Sequence, residues 1–327
     1  MKKLLKFVAL SSLLGFTLLF SSSFAHAESN GNEKYVNNNG VEITQQDFKR
    51  LQNLGFSEDE IQQMDADEFN NNKDLTGVEI SSDTKYYEVS EKSESQNFSK
   101  QKVTNVVELS KAEYYKRVKE KKKQQDNPGT VAYANPDTGS TSYKTMTTQI
   151  ISLGSREYRI KNSVQWDVLP KTRSYDVIGA AVNSSQFAPN KGTEYAKQYW
   201  SKVDYTNHTS YSDSATYSSS SDHWEYSSSG YGLKMNLPND NWSITGGGTL
   251  IGTKVTDIHM YAYYTVEELK YGTQDRIDAY GRYAHAEENI SFSFGASMTL
   301  GGIGISFSGV SSESFSVQRN TQATLYI

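Results

Sequence analysis

The chain has 327 residues, a formal charge of −5 and no cysteine, and its length suits one to three domains. The missing cysteine excludes disulfides, thiolate nucleophiles and thiolate metal sites, and the slight acidic excess leaves no basic surplus for neutralising nucleic-acid phosphates. Tyrosine, at 23 residues, dominates the second half together with Ser, Thr and Gly, a composition that favours strands with one wet face.

In chain order, Lys2, Lys3 and Lys6 bracket the start of an apolar run over 4–20, and Ala25-His26-Ala27 forms a small-x-small site. This pattern predicts a secretory signal peptide, 1–27, and a secreted, extracellular protein. Residues 28–42 are polar and Asn-rich and read as a flexible leader. A small helical, α+β N-terminal region is expected over 43–127. Thr44 with Asp47 opens a helix carrying Phe48, Leu51 and Leu54, and Gly55 stands where it would stop. Ser57 with Glu60 is a capping box for a second helix with Ile61 and Met64, and Asp65 with Glu68 caps a third turn holding Phe69. Residues 86–89 and 103–109 are short strand candidates. Ser110 with Glu113 starts a helix that ends in Lys121-Lys122-Lys123, read as a solvated terminus whose cations complement the helix dipole.

Three stretches of this region, Leu54-Gly55-Phe56-Ser57-Glu58-Asp59-Glu60-Ile61, Thr84-Lys85-Tyr86-Tyr87 and Ser110-Lys111-Ala112-Glu113-Tyr114, carry a resemblance. They resemble segments of uncharacterised secreted proteins of Bacillus-type Gram-positive bacteria, over about residues 40–120. The resemblance implies an exported bacterial protein and supplies no activity.

Asn127-Pro128-Gly129, Asn135-Pro136 and Thr138-Gly139-Ser140 punctuate a segment read as a linker over 128–142. Strand signals then dominate 143–327: residues 145–153, 157–169, 173–182, 233–237, 242–245, 249–264, 277–285 and 314–327. Residues 193–203 fit either a strand or a short helix, and the Ser/Tyr-rich stretch 207–229 fits a hairpin with two wet faces or a loop. This spacing predicts a mainly β, α+β chain: a small α-rich N-terminal region, then an antiparallel β-sandwich or barrel-like domain.

The strongest local pattern is 289–310. Ile290, Phe292, Phe294, Ala296, Met298 and Leu300 alternate with Ser291, Ser293, Gly295, Ser297 and Thr299. After Gly301-Gly302, Ile303, Ile305 and Phe307 alternate with Gly304, Ser306 and Ser308. A hairpin turning at 301–302 would pair Leu300 with Ile303, Met298 with Ile305 and Ala296 with Phe307, placing every apolar residue on one face. Each arm is long enough for a tilted transmembrane strand. The pattern resembles the inserting hairpins of aerolysin-like β-pore-forming toxins; it is equally that of a half-buried core hairpin.

Catalytic signatures are absent. His208, His223, His259 and His285 lack metal-binding spacing, no G-x-S-x-G element occurs, and Gly246-Gly247-Gly248 is not followed by Lys-Ser/Thr. No metal or cofactor is expected. Asp167, Asp257, Asp275, Glu287 and Glu288 are the acids to weigh for glycoside hydrolysis, whose geometry only the fold can supply. Trp200, Tyr205, Tyr211, Tyr217, Trp224, Tyr226 and Tyr231 are candidates for stacking on sugars. The sequence therefore reads as a secreted, non-catalytic protein acting by extracellular or cell-surface interaction through its β domain, on a cell-wall or glycan ligand. The alternatives are a β-pore-forming protein inserting hairpin 289–310 into a membrane, and a glycan-active hydrolase.

Overall fold

The structure is a computed structural model that describes residues 34–96, 99–125, 140–171, 173–270, 272, 275–286, 293–299, 302–308, 315–317 and 321–327. The expected signal peptide, the leader up to residue 33 and most of the expected linker lie outside the described residues. From Lys34 onward the leader is ordered. Strand β1 (Lys34–Val36) pairs with β2 (Glu42–Thr44), and the buried Asn37 amide donates to the Ile61 and Met64 carbonyls at 3.0 and 2.7 Å. A polar side chain that composition assigns to solvent is here satisfied inside, which fixes the entry of the chain.

Three short helices follow, α1 (Gln45–Asn53), α2 (Glu58–Gln62) and α3 (Ala66–Asn72), and their starts are where the sequence places them. Thr44 and Ser57 close reciprocal capping boxes with Asp47 and Glu60, and Asp65 caps α3. Gly55, at φ +84°, turns the chain between α1 and α2 in the left-handed region that suits glycine.

The remaining elements are β3 (Val78–Gln96), β4 (Ser99–Leu109), α4 (Lys111–Gln125), β5 (Ser140–Gly154), β6 (Glu157–Val168), β7 (Tyr175–Val182), β8 (Phe187–Pro189) and β9 (Tyr195–Asp204). They continue with β10 (Thr209–Tyr217), β11 (Trp224–Tyr226), β12 (Gly230–Asn236), β13 (Asn241–Ile244), β14 (Leu250–Glu268) and β15 (Arg276–Ala286). The chain ends with β16 (Ser293–Thr299), β17 (Gly302–Ser308), β18 (Phe315–Val317) and β19 (Thr321–Tyr326). The architecture is mainly antiparallel β. A larger sheet runs β10-β9-β14-β6-β5-β3-β4, with β8 and β13 also on β14, and a smaller one runs β11-β12-β7-β15-β18, with β19 also on β15.

The expected division at 128–142 does not separate two folds. β3 pairs with β5 from Val78↔Ser152 to Glu91↔Ser140, so the charged segment before the expected linker is part of the larger sheet. Its Ser/Glu/Lys composition reads as loop, but alternate residues Tyr87, Val89 and Glu91 are buried, and the strand is set by that inner face.

The layers follow from alternation. On β6 and β14, Ile160, Val164, Trp166, Ile258 and Met260 face the smaller sheet and share its core. The intervening Tyr261 and Tyr263, with Tyr195 and Tyr199 of β9, face outward and pack with Leu51, Leu54, Phe56 and Ile61 of the helical unit. That unit is a cap on the outer face of the larger sheet, in accord with its being too small for an independent core. The seam is partly ionic: Lys161 holds Glu60 at 2.5 Å and Lys197 holds Asp65 at 2.9 Å. Glu68 is fully buried and accepts from the Tyr261 hydroxyl at 2.9 and 2.8 Å.

Burial pushes the Glu68 carboxyl up to about 8, against the hydrogen bond from Tyr261 and the field of Lys197. A carboxyl raised in the folded state contributes most at low pH, and that contribution falls as pH climbs from the ordinary carboxylate value toward 8. Glu68→Gln cannot ionise, so urea unfolding at pH 4.5, 6 and 8 should find the variant gaining on the parent with each step, by a few kcal/mol in total.

Candidate functional site

Hairpin β16–β17 is a two-stranded sheet of its own: among the described residues it joins neither large ladder. It lies beside β7, β11, β12 and β15 of the smaller sheet. Its register is Phe294↔Phe307, Ala296↔Ile305 and Met298↔Ile303, ending at Thr299↔Gly302. This differs by two residues from the pairing that a turn at 301–302 would give. A slip of two keeps every residue on its face, so the apolar pattern cannot distinguish the registers. Ile290, Phe292 and Leu300, also assigned to the hairpin from sequence, lie outside the described residues.

The topology around the hairpin is its most informative property. β15 and β18 are antiparallel neighbours, paired at Ala284↔Val317, His285↔Ser316 and Ala286↔Phe315. The chain between them holds the hairpin, entered and left through 287–292 and 309–314, two segments of equal length. Because the lengths match, β16–β17 stands in the register that β15–β18 would have if the ladder ran on.

At the root of this insertion lies a buried polar cluster. His285 and Asp176 are cross-strand partners on β15 and β7, with His285 Nδ1 at 2.6 Å from Asp176 Oδ1 and both side chains sealed from solvent. Trp166 Nε1 donates to the Tyr283 hydroxyl at 2.8 Å. Lys144 Nζ, fully buried and without a hydrogen-bond partner among the described residues, sits 3.6 Å from the Tyr283 ring centroid and 5.2 Å from that of Trp166. Burial pushes the Lys144 amine well down, with Asp176 acting against it. Burial also works against a charged His285, yet the adjacent Asp176 outweighs it and the ring's pKa is raised.

The other residues singled out from sequence scatter. Tyr217, Trp224 and Tyr231 are buried in the core between the sheets, so they present no ring to a ligand; the Ser-rich stretch around them folds as β10 and β11 instead of a loop. Tyr226 caps this group, its hydroxyl on Glu194 at 3.1 Å and its ring 4.9 Å from Tyr231. Trp200 is half-buried and Tyr211 exposed, with Lys202 over both rings. Tyr205 meets Trp242, a ring outside the seven, edge-on at 6.3 Å. No single face gathers the seven.

Among the acids, Asp167 and Asp257 line one hollow, while Asp275 lies on the far stretch before β15 and Glu287 and Glu288 fall outside the described residues. His223 is engaged by the Lys234 carbonyl at 2.9 Å, and His208 sits in an exposed turn at φ +53°. No group of acids and histidines that could hold a metal ion occurs among the described residues. Lys144 and the His285–Asp176 pair were not singled out from sequence, since a charged residue in an alternating strand reads as solvent-facing. The one available signal is the apolar, aromatic company on either side of each.

Raised above its ordinary value, His285 contributes through its ion pair fully below about pH 6.5, and that contribution is lost as pH rises through the folded-state value. Asp176→Asn leaves a buried cation unpaired, which costs about 3–5 kcal/mol. Denaturation at pH 6 and pH 9 should find the deficit larger at pH 6; equal deficits would mean that the pair is not charged.

No family model matches this sequence, and no curated protein matches it. Among solved structures, a chain described as "Pore forming protein" is 5% identical, with a TM-score of 0.28 over 57% of this chain and 87% of that one. A second, described as "BspA_C_WT", is 8% identical, with a TM-score of 0.20 over 73% of this chain and 84% of that one. At these scores neither likeness bears on fold or function.

Proposed function

We propose that the protein is exported and acts without catalysis at a cell surface, by inserting hairpin β16–β17 into the bilayer. The observation that carries this reading is the shared register. If the hairpin leaves the smaller sheet, β15–β16 and β17–β18 join as one antiparallel ribbon from Ala284↔Val317 to Thr299↔Gly302, with no residue to add or drop. At roughly 3.3 Å per residue each arm would reach about 50 Å, and a tilted membrane strand needs only about 9–11 residues.

Two further points support it. Departure of the hairpin breaks no ladder to the rest of the protein, because β16 and β17 pair only with each other among the described residues. What it gives up is its place beside β7, β11, β12 and β15, and a bilayer can cover the apolar face that its alternation presents. The register also sets like against like: Phe294, Ala296 and Met298 stand opposite Phe307, Ile305 and Ile303, and Ser293, Gly295 and Ser297 stand opposite Ser308, Ser306 and Gly304. A ribbon with one apolar and one small, polar face suits a wall between lipid and water. Glu287-Glu288 and Glu313 bound the apolar run at its base, where such a ribbon would meet the headgroups.

The chain's lack of cysteine makes the test direct. Single cysteines at 294, 296, 298, 303, 305 and 307, and at 295, 297, 304 and 306, are labelled with an environment-sensitive fluorophore. They are then mixed with dye-loaded phosphatidylcholine vesicles, before and after limited proteolysis at 126–139. The expected result is dye release, with emission rising at the first set and not at the second. Release without alternation, or no release under either condition, would remove the reading.

A further inference from the structure

The outer face of the larger sheet holds a second feature, independent of the hairpin. Beside the helical cap lies a hollow of about 390 Å³, and adjoining it one of about 800 Å³. Asp59, Gln165, Tyr199 and His259 line both. The second shares Asp167, Asp257 and Lys122 with a third hollow of about 460 Å³. The three form one trough, walled by α2 on one side and reached by Lys122 of α4 on the other. Its floor is made of outward residues of four neighbouring strands: Thr145 and Thr147 of β5, Gln165 of β6, His259 of β14 and Ser201 of β9.

The chemistry of that floor narrows the occupant. His259 lies flat on Tyr199, with centroids 4.8 Å apart and planes 16° from parallel, and its side chain retains 17% of its exposure. Next to this flat patch stand acceptors held in place before any ligand arrives. Asp167 accepts from the Tyr114 hydroxyl at 2.7 Å and from the Gln165 amide at 2.8 Å, and each carboxylate oxygen has a further lone pair to offer. The Gln165 amide, by donating to Asp167, leaves its own oxygen as an acceptor.

Charge excludes much else. Glu58, Asp59, Asp167 and Asp257 face the middle hollow, and Lys161 at the cap end is already held by Glu60, whereas the third hollow carries Lys121, Lys122, Lys171, Arg173 and Lys254 beside Asp167, Asp240 and Asp257, so a polymer charged with one sign along its length meets like charge over part of the trough. A peptide strand finds no partner either, because the floor is the face of a sheet whose backbone groups are spent in its ladders. What fits is a chain of uncharged rings that offers C–H faces to a flat aromatic pair and hydroxyl donors to fixed oxygens.

We propose that this trough binds a neutral oligosaccharide, laid along the outer face of the larger sheet between the cap and α4. The site lies on the sheet face away from the smaller sheet, and so from the hairpin, and does not depend on membrane insertion. It would bring the protein to a glycan-bearing surface, whatever the hairpin then does.

The test is titration calorimetry of the chain from Glu28 to Ile327 with chitotetraose, maltotetraose and cellotetraose, and with a heparin tetrasaccharide and spermine as charged controls. At least one neutral tetrasaccharide should bind. Gln165→Ala and, separately, Asp257→Asn should weaken it by about tenfold or more, while circular dichroism and melting temperature remain those of the parent. Asp257→Asn keeps the shape of the side chain, so it guards against a folding artefact at Gln165. The proposal is overturned if no neutral sugar binds at millimolar concentration, if both folded variants bind as the parent does, or if heparin or spermine binds more tightly. Vesicles of pure phosphatidylcholine carry no glycan, so dye release from them can succeed or fail independently of this result.

Discussion

The ladder between β15 and β18 sets Ala284 against Val317 and Ala286 against Phe315, and β16 and β17 take up the same register further on. Backbone pairing is a strict constraint: one extra residue on either side would turn every following side chain to the opposite face. The equal lengths of 287–292 and 309–314 keep the two ladders in phase. The hairpin can therefore be understood as the far end of a ribbon whose stem is already in place, and the rest of the protein as the frame that holds the stem.

That frame is stiff where it meets the stem. His285 and Asp176 pin β15 to β7 one residue before the described strand ends, and Trp166 and Tyr283 pack around them with the Lys144 amine. Buried charges of this kind add little net stability when paired and cost much when a partner is removed. Their effect is to specify one arrangement of the two sheets at that point. On the outer face of the larger sheet, the ion pairs of Lys161 and Lys197 do the same for the helical cap.

Signals in the sequence are legible where they depend on local chemistry. The capping boxes at Thr44 and Ser57, the turn at Gly55 and the alternation of β5, β6 and β14 are each decided by neighbours a few residues away. What could not be read depends on partners far along the chain. β3 belongs to the larger sheet because β5, across the segment that holds α4, pairs with it from Val78↔Ser152 to Glu91↔Ser140. Arg159, Lys161 and Lys197 are buried because the helical cap covers what alternation marks as a wet face, and Lys144 is buried because it shares the inner face of its strand with Met146 and Ile150. Tyr217, Trp224 and Tyr231 read as exposed stacking rings for the converse reason: their Ser-rich surroundings hide an inner face turned to the core. In the hairpin, period-two alternation fixed the faces but left the register open by two residues.

The most direct test of the account is a cross-link that only a continuous ribbon permits. In the shared register Asn289 would stand opposite Ser312, so the double variant Asn289→Cys with Ser312→Cys can form a disulfide only if the ladder runs through. Asn289→Cys with Glu313→Cys, one residue out of step, is the control. Oxidation is followed by mass spectrometry with and without phosphatidylcholine vesicles. The account predicts that vesicles accelerate closure of the first pair and not of the second. Equal closure of both pairs, or no effect of vesicles on the first, would contradict it.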